Sequence, residues 1–281
     1  MIIRAGYAIS YYCAAATPML LQLSVHPSRE KDLLSPDVVR ATPALPMECY
    51  LDLFGNRVTR VEVPPGHVTF ASDFAIRDSG LPEETPKDAP LEPIRDLPSE
   101  TLLFLLPSRY CDSDALSDFA WSKFAGIRGG ARLVQAITDF VHDRIRFDYG
   151  AASPYRTASD GLSEGVGVCR DFAHLAIALC RAMNLPARYC TGYLGDIGMP
   201  INPDPMDFSA WFEVFLNGRW RAFDARHNRP RIGRIVMAIG RDAADVAFSM
   251  AFGPAPLQRF EVTTYEEALA DSSPLRFAAS R

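Results

Sequence analysis

The chain has no Cys-x-x-Cys pair, and no two of its cysteines or histidines stand at metal-ligand spacing, which removes dithiol redox motifs and zinc sites from consideration. It has no apolar run approaching the ~18 residues of a membrane-spanning helix, so no membrane partner is expected. It has no block of like charge: 29 Lys and Arg against 34 Asp and Glu leave a net charge of −5, with no footprint for nucleic acid. Internal repeats and low-complexity tracts are also absent. What remains is 281 residues, enough for roughly two domains of ~150 residues each. The six cysteines are scattered along a chain too long to need disulfide staples. The expectation is therefore a reduced, cytoplasmic compartment with mostly buried thiols.

The first residues, Met1 to Ala16, combine an early Arg4, apolar residues and small residues, and so imitate an export signal. Tyr7, Ile9 and Tyr11 alternate with small or polar neighbours instead, and Met19-Leu-Leu-Gln-Leu23 resumes after Pro18, which predicts a first pair of β-strands, with an export signal as the alternative reading. Tyr50 to Phe54, Val58 to Val63 and His67 to Ile76 are further β-prone runs, separated by the Gly55-Asn56 turn and the Pro64-Pro65-Gly66 break. Several strands without helical period predict a small sandwich. Pro82, Pro86, Pro90, Pro93 and Pro98 then mark a linker or irregular crossing.

Helical periodicity begins near Pro107. Leu133, Ile137, Phe140 and Val141 share one face of a helix over Ala131 to Ile145. Val168 to Met183 is apolar on nearly every face and reads as a buried helix ended by Asn184-Leu-Pro186. Strands follow over Ala187 to Tyr193, Ala210 to Leu216 and Arg219 to Asp224, the last two joined by Asn217-Gly218, a strong hairpin signal.

Cys169 opens the buried helix. A helix N-terminus carries partial positive charge and unpaired amide donors, which lower a thiol pKa and can receive an oxyanion. Gly167, two residues earlier, would let a substrate backbone come close. The bland reading of Cys169 is a small buried hydrophobe. Cys13, Cys49, Cys111, Cys180 and Cys190 read as core. His174 lies about 140° around the helix from Cys169 and so points away from it. His26, His67 and His142 read as surface or satisfied core residues, which leaves His227, itself readable as a polar loop residue near Asp224 or Asn228. Arg229, Arg231, Arg234 and Arg241 concentrate cations after the last strand, as an ion-paired surface or a clamp for carboxylate or phosphate. Trp211 and Trp220 fit sheet anchors, and Asp207 fits a carboxylate contributed to the site or, equally well, a strand-edge cap.

Gly167-Val-Cys169-Arg-Asp-Phe-Ala-His-Leu, Asp207-Phe-Ser209-Ala-Trp211-Phe-Glu213-Val and Gly218-Arg-Trp220-Arg-Ala-Phe-Asp224-Ala-Arg-His227-Asn together resemble the three motifs of the bacterial transglutaminase-like superfamily. The first region is similar to the β-rich segment that accompanies that domain. The resemblance implies a papain-like fold in which the Cys accepts an acyl group, the second motif supplies a His base and the third an Asp that orients it. By position, Cys169 is then the nucleophile and Asp224 the acid. Where the pattern has His, two residues before Trp211, this chain has Ser209, and a serine hydroxyl does not take a thiol proton near neutral pH.

Three readings stay open. His227 replaces the missing base; or Cys169 needs little help, because the helix terminus and Arg170 favour thiolate; or the site is silent and the cleft binds a peptide or small ligand without turnover. The expected architecture is α+β, with a β-sandwich-like domain over residues 1–100 and a papain-like transglutaminase domain over 101–281. The expected function is acyl transfer or hydrolysis on a peptide or amide substrate, of protease, amidase or transglutaminase type, through Cys169, Asp224 and His227, with Ser209 at the usual His position. That chemistry requires no metal or organic cofactor.

Overall fold

The computed structural model describes residues 1–82, 88–200 and 206–267. The N-terminal strands are β1 (Ile2–Cys13), β2 (Thr17–Leu21), β3 (Arg40–Thr42), β4 (Met47–Leu51), β5 (Arg57–Val63) and β6 (Gly66–Arg77). Strand β1 shows the period of two: Ile3, Ala5, Tyr7, Ile9, Tyr11 and Cys13 are all buried. The apolar start that imitates an export signal is thus a central sheet strand.

Five helices follow in the next stretch: α1 (Ser99–Leu102), α2 (Ser117–Phe124), α3 (Gly130–Arg144), α4 (Ala158–Glu164) and α5 (Cys169–Ala182), with the short parallel strands β7 (Arg146–Phe147) and β8 (Val166–Gly167) among them. The remaining strands are β9 (Ala187–Tyr193), β10 (Ser209–Leu216), β11 (Arg219–Phe223), β12 (Ile235–Gly240), β13 (Ser249–Ala251) and β14 (Leu257–Glu266). The fold is α+β.

Three four-stranded antiparallel sheets organise the molecule, in the orders β14-β1-β6-β3, β13-β2-β5-β4 and β11-β10-β9-β12. The first two share one buried cluster that includes Ile9 and Phe74 from one sheet with Met19 and Val61 from the other, a sandwich core. Two expectations are corrected here. Strands β1 and β2 form, yet they do not pair with each other: β1 lies between β6 and β14, while β2 lies between β5 and β13. The link between them crosses from one sheet to the other instead of turning a hairpin. The β-rich body also reaches beyond residues 1–100, since β13 and β14 complete its two sheets from the far end of the chain. Pro86, within the proline-rich crossing, lies outside the described residues.

The third sheet carries the second core. Helix α5 packs on β10 and β9, with α3 and α4 against it, and Leu175, Ile177, Leu179, Phe212 and Val214 are buried between them. Helix α5, free of Gly and Pro along its length, stops before Asn184, which takes a left-handed φ of 64° ahead of Leu185-Pro186. Strands β10 and β11 close on Asn217 and Gly218, both at positive φ, which is the geometry of a two-residue hairpin.

The sandwich and the third sheet share a buried face, where Tyr193 of β9 and Ile235 and Met237 of β12 enter the sandwich core and Phe74 meets Tyr193, and one buried side chain adds a polar link. Asn56 donates to the Ile239 carbonyl and accepts from the Ile239 N–H, both at 2.8 Å, so an N-terminal turn pairs with β12 as a further strand would. Asp52 holds the turn by accepting from the N–H groups of Phe54 and Asn56.

Candidate active site

Helix α5 begins at Cys169, and its start is fixed by a carboxylate. Asp171 accepts the Val168 N–H at 2.8 Å and pairs with Arg156 at 3.1 Å, so the first turn is capped from within the motif. A Cβ on Gly167 would lie 2.5 Å from an Asp171 carboxylate oxygen. The space beside Gly167 is therefore used by that cap and not by an approaching substrate, contrary to the expectation from sequence.

Cys169 itself is half-buried. Burial pushes its thiol up to about 11, and the nearby Arg226 cation and backbone hydrogen bonding at Ala210 only partly oppose this. A thiol in that condition is protonated at rest and needs a base. The expectation that the helix terminus and Arg170 suffice is corrected by where Arg170 goes: its guanidinium donates to the Ser153 carbonyl and lies over the Tyr110 ring. The cation acting on Cys169 is Arg226, which lies 3.8 Å above the Phe147 ring.

The turn after β11 assembles an acid and an imidazole. Asp224 is buried; its carboxylate accepts the His227 N–H at 3.0 Å, the His227 ring Nδ1 at 2.8 Å and the Arg234 guanidinium at 3.0 Å. A carboxylate only accepts, so in the neutral ring Nδ1 carries the proton and Nε2 keeps its lone pair. Burial alone would push the Asp224 carboxyl up, but the hydrogen bonds from the His227 ring and backbone and the Arg234 charge outweigh it and hold the group well below the usual carboxylate range. The Asn228 N–H donates to the Asp224 carbonyl at 2.8 Å, closing the turn, and His142 of α3 contacts the Ala225 carbonyl from the other side.

A cleft of about 350 Å³ brings these parts to one surface: Cys169, Ser209, Arg226 and His227 all line it, with Asp207 and Tyr149. Burial raises the Asp207 carboxyl, which the Phe208 backbone and Arg226 counter in part. A larger cavity of about 700 Å³ lies behind Asp224 against α3, and neither Cys169 nor His227 borders it. The structure thus gathers Cys169, Ser209, Asp224 and His227 and leaves His174 apart. That ring is fully buried, stacked on Tyr110 at 5.2 Å and accepting the Ala243 N–H.

Other expectations resolve individually. Cys13, Cys111, Cys180 and Cys190 are buried, but Cys49 is exposed, because β4 is an edge strand with mostly exposed residues. Trp211 is a buried sheet anchor, and Trp220 packs half-exposed against Phe104 and Phe215. Arg241 is ion-paired to Asp245. Sequence reasoning missed Asp171 as the helix cap, although its place three residues after Val168, at the start of an apolar run, is a capping signal.

Residues 122–225 match the family model of the transglutaminase-like superfamily. An uncharacterized protein of Mycobacterium tuberculosis is 31% identical over 247 residues, covering 79% of this chain and 74% of that one. The chain belongs to the transglutaminase-like superfamily. An uncharacterized protein of Mycobacterium leprae is 23% identical over 221 residues, 74% of this chain and 77% of its own. Among solved structures, that of a candidate cysteine protease from Cytophaga hutchinsonii superposes with a TM-score of 0.83 at 30% identity, covering 96% of this chain and 92% of that one. Cys169, Ser209 and Asp224 all lie within the matched residues 122–225. Among the described residues, no helix is long and apolar enough to cross a membrane.

Proposed function

We propose that this protein is a cysteine hydrolase or acyltransferase acting on peptide or amide bonds, with Cys169 as nucleophile, His227 as its base and Asp224 as the group that orients the base. The observation that carries the reading is the 2.8 Å contact between His227 Nδ1 and Asp224, made in the wall of the cleft that Cys169 lines. It gives a transglutaminase-type acid an imidazole partner although position 209 has none. Similarity to the Cytophaga hutchinsonii structure favours hydrolysis of peptides.

The chemistry follows from the parts. His227 Nε2 takes the Cys169 proton, and the thiolate adds to the carbonyl carbon, forming the C–S bond. Free N–H groups of the first turn of α5 receive the developing oxyanion. The C–N bond breaks as His227 returns the proton to the departing amine. Water then attacks the thioester, giving its proton to His227, and the acid leaves as the thiol is restored; an amine in place of water completes acyl transfer instead. Raising the resting thiol by burial makes this proton transfer obligatory, so activity should collapse without the base.

Hydrolysis of a small chromogenic peptide anilide by purified variants tests the reading. Cys169→Ala should abolish turnover and His227→Ala should lower kcat by about 10³-fold or more, whereas Ser209→Ala should stay within about threefold of the parent. Full activity of His227→Ala would overturn it.

A further inference from the structure

The cations after β11 are not spent entirely on internal pairs. Arg226, Arg229 and Arg231 all line the Cys169 cleft, against two carboxylates there, Asp196 and Asp207. Arg231 is the telling one. It is only 7% exposed, its terminal nitrogen donates to the Gly195 carbonyl at 2.8 Å, and its nearest carboxylate oxygen, on Asp196, is 3.8 Å away. Its buried Nε has no hydrogen-bond partner among the described residues. A guanidinium fork with one nitrogen engaged and its Nε unpaired, in the wall of a cleft, matches a carboxylate in geometry and charge. A buried donor left unmade costs free energy that an incoming acceptor recovers.

We infer that the cleft selects acyl donors carrying a carboxylate near the scissile bond, received by Arg231 with Arg226 and Arg229 forming the cationic wall around it. This rests on Cys169 being the acyl-accepting nucleophile. It goes further by naming the substrate class as acidic peptides or amides. Partial burial and the neighbouring Arg234 cation destabilise the charged Arg231 guanidinium, so a bound anion relieves that tension as well. The burial that raises the Asp207 carboxyl weakens the internal competitor on the same wall.

Alkylation separates recognition from catalysis. Iodoacetate and iodoacetamide differ in one carboxylate, and the ratio of their rates at a given thiol cancels that thiol's ionisation. Rates are read by peptide mass spectrometry in the native protein at about pH 9, where imidazole is neutral. Exposed Cys49 serves as the internal reference. The iodoacetate-to-iodoacetamide ratio at Cys169 should exceed that at Cys49 by about tenfold, as expected for a cation-lined cleft. Arg231→Gln should bring it down toward the reference, and Arg231→Lys should leave it between. Equal ratios at Cys169 and Cys49 in the native protein would overturn the inference whether or not the Arg231 variants fold. A ratio unchanged by Arg231→Gln in a folded variant would overturn the role of Arg231. Loss of anilide hydrolysis with the ratio intact would instead count against the catalytic reading alone.

Discussion

His227 Nδ1 meets Asp224 Oδ2 at 2.8 Å although only two residues separate them in sequence, so acid and imidazole are delivered by one closed turn and not by two strands. The carboxylate fixes the tautomer that leaves Nε2 free to accept. Replacing Asp224 with Asn would reverse that preference, because the amide can donate to Nδ1. Asp224→Asn should therefore lower kcat by about 10³ to 10⁴-fold with little change in KM, measured on the same anilide.

The same carboxylate links activity to acid stability. Its folded-state pKa is depressed, so its stabilising contribution is fully present above the ordinary carboxylate value of 3.8 and is lost as pH falls toward the depressed value. Urea unfolding at pH 7 should show Asp224→Asn destabilised by on the order of 2 kcal/mol, with the difference shrinking below about pH 4. A difference independent of pH would separate the effect from ionisation.

Moving the imidazole tests the substitution at position 209. In the His227→Ala background Asp224 lacks its present ring partner, and Ser209→His sets a ring on the other side of the same cleft. That double variant should recover at least about tenfold of the lost hydrolysis. With His227 intact, Asp224 is already occupied by His227 and Arg234, and Ser209→His should bring no gain. An equal gain in both backgrounds would show that His227 was never the base.

Asn56 adds two buried 2.8 Å bonds to Ile239 to the apolar junction between the sandwich and the third sheet. Asn56→Ala orphans both backbone groups and should cost about 2 to 4 kcal/mol in urea unfolding. Asn56→Asp keeps an acceptor for the N–H but sets a carboxylate against the Ile239 carbonyl, and should be no better.

Local signals in the sequence carried far. The Asn217-Gly218 hairpin, the helix headed by Cys169 and the end of that helix at Asn184 each depend on a few adjacent residues, and each is found where the pattern puts it. What escaped depends on partners distant in the chain or on side-chain direction. Arg170 adjoins Cys169 in sequence, but its guanidinium leaves toward Ser153, and Arg226 acts on the thiol from another loop. Gly167 signals close approach without saying that Asp171 fills the space. The exposure of Cys49 follows from β4 lying at a sheet edge, which no local pattern around it states.

Strand β14 pairs with β1 from Ile3 opposite Glu266 to Tyr11 opposite Leu257, joining positions about 260 residues apart. In synthesis β1 leaves the ribosome before β14. Strand β1 must therefore wait, with one ladder edge unsatisfied, until the transglutaminase-like core between the two strands has been translated. Chains halted before Leu257 present that unpaired edge to one another, so truncation there should yield aggregation more readily than a merely shortened protein.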